Sequence, residues 1–240
     1  MHSSRKISIA NLLLRLEIAT DIPALQTLIE TSRDTLGVTH VLFHCVSGPK
    51  SGEVVATVPD AWTELYYSSG QYLRDPVYLR AARSFEAFDW KDLDWSGKDV
   101  FKFLMTSMNL GFAHQGYSFP IHGPHGELAV FSINHDCDDE YWHDFVHRNQ
   151  NALFLLGHCF HRRARSIWTQ PFSEPIELSE RETSVITLIA RGNSRAEAAE
   201  MLSISEHTLR DHLDSARRKL KSRTTTEAVA RAISGGQIVA

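Results

Sequence analysis

Ser194-Arg195-Ala196-Glu197-Ala198-Ala199-Glu200-Met201-Leu202-Ser203-Ile204-Ser205-Glu206-His207-Thr208-Leu209-Arg210-Asp211-His212-Leu213-Asp214-Ser215-Ala216-Arg217-Arg218-Lys219-Leu220 reads as helix, tight turn, helix. The first helix takes Ala196 to Leu202 and the second Glu206 to Leu220, with Ser203-Ile204-Ser205 between them. Ser205 is a residue type that caps a helix start, because its hydroxyl accepts a free backbone N–H. On the second helix Leu209, Leu213, Ala216 and Leu220 recur at helical spacing as one buried stripe. Arg210, Asp214, Arg217 and Lys221 follow one residue later as a polar stripe beside it, widened by Arg218.

A helix with such a face fits the major groove of B-DNA, which is about 12 Å wide. There an arginine such as Arg210 can donate two bonds to guanine O6 and N7, and Asp214 can accept from cytosine N4. Arg217, Arg218 and Lys219 lie further along, where phosphates run. On charge alone a solvated face of a helical bundle is the commoner explanation; the surrounding pattern has to decide.

Outward from this segment the helical character continues. Ser179-Glu180-Arg181-Glu182, Ser194-Arg195-Ala196-Glu197 and Thr224-Thr225-Thr226-Glu227 each match the capping box, in which a hydroxyl takes one free N–H and the Glu three residues on reaches back. Residues 176–240 therefore read as an all-α domain. Ahead of it, 166–175 holds Pro171 and Pro175 without sustained periodicity and reads as a linker. Residues 1–165 read as a mixed domain: helix over 8–33, a strand at Val41–Val46, helices at Asp60–Ser69 and Phe101–Leu110, a hairpin of Tyr117–Ile121 with Leu128–Asn134, and a long helix from Asp139 to Ser166. The fold class expected is α+β, an α-β-α sandwich with an antiparallel sheet followed by the helix-turn-helix domain.

The charge is divided along the same line. The chain carries −4 overall, but residues 1–175 hold 15 basic and 20 acidic residues, while 206–223 hold six basic and three acidic. Such a balance excludes a protein that coats nucleic acid indiscriminately and allows a small DNA-binding module on an acidic partner domain. No apolar run approaches the roughly 20 residues of a membrane span, so no membrane partner is expected. Cys45, Cys137 and Cys159 have no metal-binding spacing and read as reduced thiols of a cytoplasmic protein. The 13 histidines invite an enzyme reading with a metal, and His143 and His147 lie four apart near Asp136, Asp138 and Asp139. Residues 143–147 are His-Asp-Phe-Val-His, however, not H-E-x-x-H, and no nucleophile turn or phosphate-cradling loop occurs. No enzyme activity, metal or cofactor is expected.

Leu178-Ser179-Glu180-Arg181-Glu182, Gly192, Glu197-Ala198-Ala199, Ile204-Ser205-Glu206-His207-Thr208-Leu209, His212, Lys219-Leu220 and Ala228-Val229 together resemble the LuxR-type helix-turn-helix over about 176–235. Ala198 stands where that family has Ile and Leu209 where Val is common, and both remain apolar. The resemblance makes the helix from Glu206 the recognition helix, which implies DNA contacts from Ser205, His207, Thr208, Arg210, Asp214, Arg217, Arg218 and Lys219. It makes the last helix, from Thr225, part of a dimer.

Upstream, Pro59-x-x-Trp62-x-x-x-Tyr66, Asp75-Pro76, Trp90, Gly116, Phe119-Pro120-Ile121-His122-Gly123-Pro124 and Leu128–Ile133 resemble the autoinducer-binding domain of LuxR-type quorum-sensing regulators. Singly, these residues have plainer explanations: core packing for Trp62, Tyr66 and Trp90, and a turn or helix cap for Asp75. The resemblance implies an α-β-α sandwich enclosing an acyl-homoserine lactone. The chemistry is consistent. The donor-only indole of Trp62 suits a lactone carbonyl, the Asp75 carboxylate an amide N–H, and Tyr66 and Ser132 an acyl carbonyl or 3-oxo group. Val58 stands where many members have a Tyr that bonds the acyl carbonyl. The function expected is a quorum-sensing regulator that binds the lactone and, as a homodimer, an inverted-repeat operator, meeting RNA polymerase if it activates. The alternative is a ligand-independent regulator whose pocket is filled by its own side chains.

Overall fold

The computed structural model describes residues 8–47, 52–123, 126–168 and 177–239. They form two compact units, one built on a sheet and the other on helices. Of the expected linker, 169–175 lies outside the described residues, and 166–168 continue a helix.

In the first unit the expected helix over 8–33 is two helices, α1 (Ile9–Ile18) and α2 (Ile22–Leu36). Asp21 explains the break: its carboxylate accepts the Ala24 N–H, which starts a new helix. Gly37, at φ +69°, ends α2 in the left-handed conformation that glycine adopts without cost. Five strands follow in the spatial order β2-β1-β5-β4-β3, all antiparallel: β1 (His40–Ser47), β2 (Val54–Ala56), β3 (Phe88–Asp89), β4 (Gln115–His122) and β5 (Leu128–His135). The central hairpin of β4 and β5 matches the expected one with an extra residue or two at its ends. Between strands lie α3 (Asp60–Ser68), the short α4 (Pro76–Ala81) and α5 (Lys98–Asn109), and the 30-residue α6 (Asp139–Trp168) follows β5.

Alternation along the strands gives the sheet two buried faces. Val41, Phe43, Phe119, Ile121, Ala129, Phe131 and Ile133 pack on one face with Leu12, Leu16, Leu25, Ile29, Leu153, Leu156 and Phe160 of α1, α2 and α6. Leu42, His44, Val130 and Ser132 point to the other face, where α3, α4 and α5 lie. This is the α-β-α sandwich with an antiparallel sheet.

The second unit is all helical: α7 (Glu180–Ala190), α8 (Arg195–Met201), α9 (Glu206–Lys219) and α10 (Thr225–Ser234). Its core joins Val185 and Ile186 to Ala198, Ala199, Leu209, Leu213, Ala216, Leu220, Ala228 and Ala232. The apolar stripe of α9 is buried along its length. The capping boxes at Ser179/Glu182 and Ser194/Glu197 are complete. The third is only half made, because Glu227 accepts the N–H of Arg223 instead of that of Thr224. Lys221 falls outside the polar stripe, since α9 ends at Lys219 and Lys221 has φ +52°.

Candidate ligand cavity and recognition helix

Trp62, Tyr66, Asp75, Trp90 and Ser132 all line one cavity of about 60 Å³ between the sheet and α3, α4 and α5. Each is placed by a local device. Trp62 and Tyr66 lie one helical turn apart on α3, buried, with rings stacked at 4.8 Å. Asp75 is the cap of α4, as its plainer reading requires: one carboxylate oxygen accepts the Val77 N–H at 2.8 Å. Its other oxygen accepts the Tyr66 hydroxyl, also at 2.8 Å. Trp90 lies against Gly116 of β4, where a Cβ would come within 2.0 Å of the indole. Ser132 pairs with Leu42 across β1–β5 and with Ser118 across β4–β5.

The polar atoms of the cavity are bonded to one another. The Trp62 indole donates to the Ser107 hydroxyl of α5 at 2.9 Å, and Ser107 donates to the Phe103 carbonyl. The Trp90 indole donates to Ser118 at 2.8 Å, and Ser118 shares a 2.7 Å bond with Ser132. Burial raises the Asp75 carboxyl to about 6, against the lowering by the Val77 N–H and the Tyr66 hydroxyl. Burial, and then the Asp75 charge, push the Tyr66 hydroxyl well above its usual range. Phe112 packs on Trp62 at 4.6 Å, and Phe103 approaches both Trp62 and Tyr66. At about 60 Å³ the cavity is well below the roughly 300–1,000 Å³ of sites that enclose a small molecule. An apolar-tailed ligand therefore needs this aromatic wall to part.

Several lining residues were not singled out in the sequence: Ser107, Phe103, Phe112, Tyr67, Tyr78 and His44. Alternation on β1 was a usable signal for His44, which shares a face with Leu42. Ser107 and Phe103 lie four apart on α5 and mark its inner face. Val58 packs beside Trp62 and Tyr66 and offers the cavity no hydrogen bond.

On α9 the eight expected DNA contacts divide into free and committed groups. Ser205 caps the helix through the Thr208 N–H at 3.1 Å and shares a bond with the Thr208 hydroxyl. His207 is exposed and meets Asp211 at 3.3 Å. Arg210 and Arg218 are exposed and form no side-chain hydrogen bond or ion pair among the described residues. Asp214 and Arg217 pair with each other at 2.9 Å, and Arg217 also donates to the Arg223 carbonyl. Lys219 reaches back to buried Glu182 at 2.7 Å and to the Glu177 carbonyl at 3.2 Å. His143 and His147 stack on α6, and no group of three metal-ligating side chains occurs among the described residues. No helix among them is long and apolar enough to cross a membrane.

The model of the autoinducer binding domain matches residues 21–164, and that of the bacterial regulatory proteins of the luxR family matches 177–232. The transcriptional activator protein RaiR of Rhizobium etli is 30% identical over 175 residues, covering 72% of this chain and 72% of that one. CarR of Pectobacterium carotovorum subsp. carotovorum, also a transcriptional activator protein, is 26% identical over 193 residues, covering 75% of this chain and 78% of its own. The crystal structure of Escherichia coli SdiA shares the fold at a TM-score of 0.65, with 20% identity, covering 97% of this chain and 98% of that one.

Proposed function

Since the chain belongs to the LuxR family of regulators, with an autoinducer-binding domain ahead of the family's DNA-binding module, we propose that it binds an N-acyl-homoserine lactone in the cavity and, as a homodimer, an inverted-repeat operator. The family and fold are those of transcriptional regulators, not enzymes. We assign 1–165 to the ligand domain, 166–175 to the linker and 176–240 to the DNA-binding domain. The protein acts in the cytoplasm and, if it activates, meets RNA polymerase.

The observation that carries the ligand reading is the convergence of Trp62, Tyr66, Asp75, Trp90 and Ser132 on one cavity. Asp75 uses two of its roughly four acceptor sites, so an amide N–H can be added without breaking either bond. With Ser118 donating to Ser132, the Ser132 hydroxyl keeps its proton for the acyl carbonyl. The Trp62 indole has one proton and gives it to Ser107, so a lactone carbonyl takes it by displacing Ser107. The tail packs where Trp62, Phe103 and Phe112 separate, at about 0.8 kcal/mol per buried CH₂.

The homodimer rests on geometry and exposure. One helix-turn-helix reads few base pairs, and paired modules read half-sites about one turn apart or a multiple of it. Phe154 and Leu155 of α6 and Leu14 and Ile18 of α1 are exposed apolar side chains suited to an interface.

Calorimetric titration of the full chain with acyl-homoserine lactones of short and long tail tests the reading, together with mass spectrometry of small molecules extracted from the purified protein. Binding that is lost in Asp75→Ala supports it. The small cavity favours the second reading, a regulator that folds and binds DNA on its own side chains. A chain that no lactone binds or stabilises, yet which selects its operator, is that second protein.

A further inference from the structure

His44 is a buried polar group that the lactone reading leaves unused. It lies on β1, 6% exposed, on the same strand face as Leu42. Its ring stands edge-on to Tyr66, Tyr67 and Tyr78, at centroid distances of 6.3, 5.8 and 4.8 Å. Nε2 lies 2.8 Å from the Tyr67 hydroxyl, and that hydroxyl donates to the Gly52 carbonyl at 3.0 Å. A carbonyl can only accept and a hydroxyl has one proton, so both contacts are satisfied only when Nε2–H donates to Tyr67. Burial lowers the imidazole to about 4, which keeps the ring neutral at pH 7. Nδ1 is then left as the acceptor of the ring.

The position of His44 separates it from the amide end. Leu42 is paired with Ser132, whereas His44 is paired with Val130, one step along the ladder. Diagonal neighbours of this kind are about 7–8 Å apart, so a group that meets His44 lies further along the ligand than a carbonyl held by Ser132. It stands towards the β2 edge. There His44, Tyr67 and Tyr78 line both the inner cavity and a second hollow of about 390 Å³ that also touches Val46, Gly52 and Tyr72. A tail leaving the inner cavity passes this wall.

We propose that His44 is a specificity residue for the tail: the ligand's acyl group carries a hydroxyl remote from the amide, and that hydroxyl donates to His44 Nδ1. This rests on the acyl-homoserine lactone reading. A plain hydrocarbon passing the wall leaves a buried acceptor unmet, and a ketone sets acceptor against acceptor. Tyr67 is a positioning residue, since its hydroxyl fixes the imidazole proton on Nε2.

The test is calorimetric titration of the full chain with hexanoyl-, octanoyl- and decanoyl-homoserine lactone, each with a plain, hydroxylated or oxidised (keto) tail end. One net hydrogen bond corresponds to roughly tenfold in affinity. The hydroxyl compound of the fitting length binds about that much more tightly than its plain and keto counterparts. His44→Phe abolishes the preference, His44→Gln keeps part of it through its amide oxygen, and Tyr67→Phe narrows the gap between hydroxyl and keto compounds by releasing the tautomer. Wild-type protein that binds plain tails as well as hydroxylated ones overturns the role of His44 and leaves the lactone reading standing, whether or not the variants fold. Wild-type protein that binds none of the nine compounds overturns the lactone reading and this inference with it.

Discussion

The indole of Trp62 on α3 and the hydroxyl of Ser107 on α5 are joined by a buried 2.9 Å hydrogen bond in the wall of the cavity. The bond connects two helices that wall the same space, and it uses the one proton of the indole. On the proposed lactone reading, ligand and α5 compete for Trp62.

Ser107→Ala separates these roles. Without ligand, the variant leaves a buried indole N–H unmet, and a stability loss of about 1–3 kcal/mol is expected. With ligand, the competitor is gone, so affinity for the lactone rises severalfold. Thermal unfolding and calorimetry on one preparation measure both. A fall in affinity along with stability identifies Ser107 as a ligand contact instead of a competitor.

Asp75 gives the cavity a pH dependence. Its carboxyl lies near 6 in the folded protein against an ordinary 3.8, so the folded state holds the proton more tightly than the unfolded chain. Its contribution to stability therefore decreases as pH rises from about 4 to about 6 and is level above that. Ligand binding runs the other way, because an ionised carboxylate is the stronger acceptor for an amide N–H. Lactone affinity should weaken as pH falls through about 6, and Asp75→Asn should flatten both profiles. Equal pH dependence of binding in wild type and Asp75→Asn would remove Asp75 from the amide contact.

How much of this site was legible follows from how each residue is held. Trp62, Tyr66 and Asp75 lie within one helix and the start of the next, and their local spacing is visible in the sequence. Ser107 and Phe112 reach Trp62 from α5 and the turn after it, more than forty residues away, and no short-range pattern links them. The two-helix nature of 9–36 was hidden by continuous apolar spacing, and the Asp21 cap with Pro23 in the first turn after it reveals it. On α9 the apolar stripe was readable because burial follows the helical period. The engagement of Lys219 with Glu182 was not, since the two are 37 positions apart.

Gly116 is fixed by what lies on it. A methyl group there would meet the Trp90 ring at 2.0 Å, well inside contact distance. Gly116→Ala should push Trp90 from the strand, break its bond to Ser118 and destabilise the domain by about 1–3 kcal/mol. Lactone binding should fall with it, because the Ser118–Ser132 pair loses its donor. Near-ultraviolet circular dichroism reports the indole directly; an unchanged spectrum would show that the ring stays in place.

Exposed Lys219 pairs with buried Glu182 at 2.7 Å, which commits its ammonium to the helical unit. Burial alone raises the Glu182 carboxyl, but Lys219, the Ser179 N–H and the Ser215 hydroxyl outweigh it and hold the group near 2. A depressed carboxyl contributes stability above its unfolded value of about 4.5 and loses it as pH falls towards 2. Lys219→Met should therefore destabilise the helical unit by about 1–3 kcal/mol, the cost of a charged group left without its partner. Glu182→Gln should remove that share of its acid sensitivity. Unfolding followed against pH measures both, and wild-type stability in acid for Glu182→Gln with no loss at pH 7 would contradict the ion pair.

Arg210 and Arg218 separate base reading from phosphate binding on α9. Both are exposed and uncommitted, so neither has to break an internal bond to reach DNA. Arg210 lies in the first half of the helix, the end that enters the groove in helix-turn-helix complexes. Arg218 lies in the last turn, where we expect a phosphate contact. Arg210→Ala should cost about 1–3 kcal/mol on the preferred operator and little on unrelated DNA, which lowers the specificity ratio. Arg218→Ala should weaken all sequences alike and reduce the slope of log K against log salt by about one. Lys219→Met, already engaged with Glu182, should leave that slope almost unchanged. Fluorescence anisotropy on operator and scrambled duplexes at four salt concentrations distinguishes the three. If Arg210→Ala keeps its operator preference while Arg218→Ala loses it, the helix enters the groove by the opposite end, and base contact passes to the last turn.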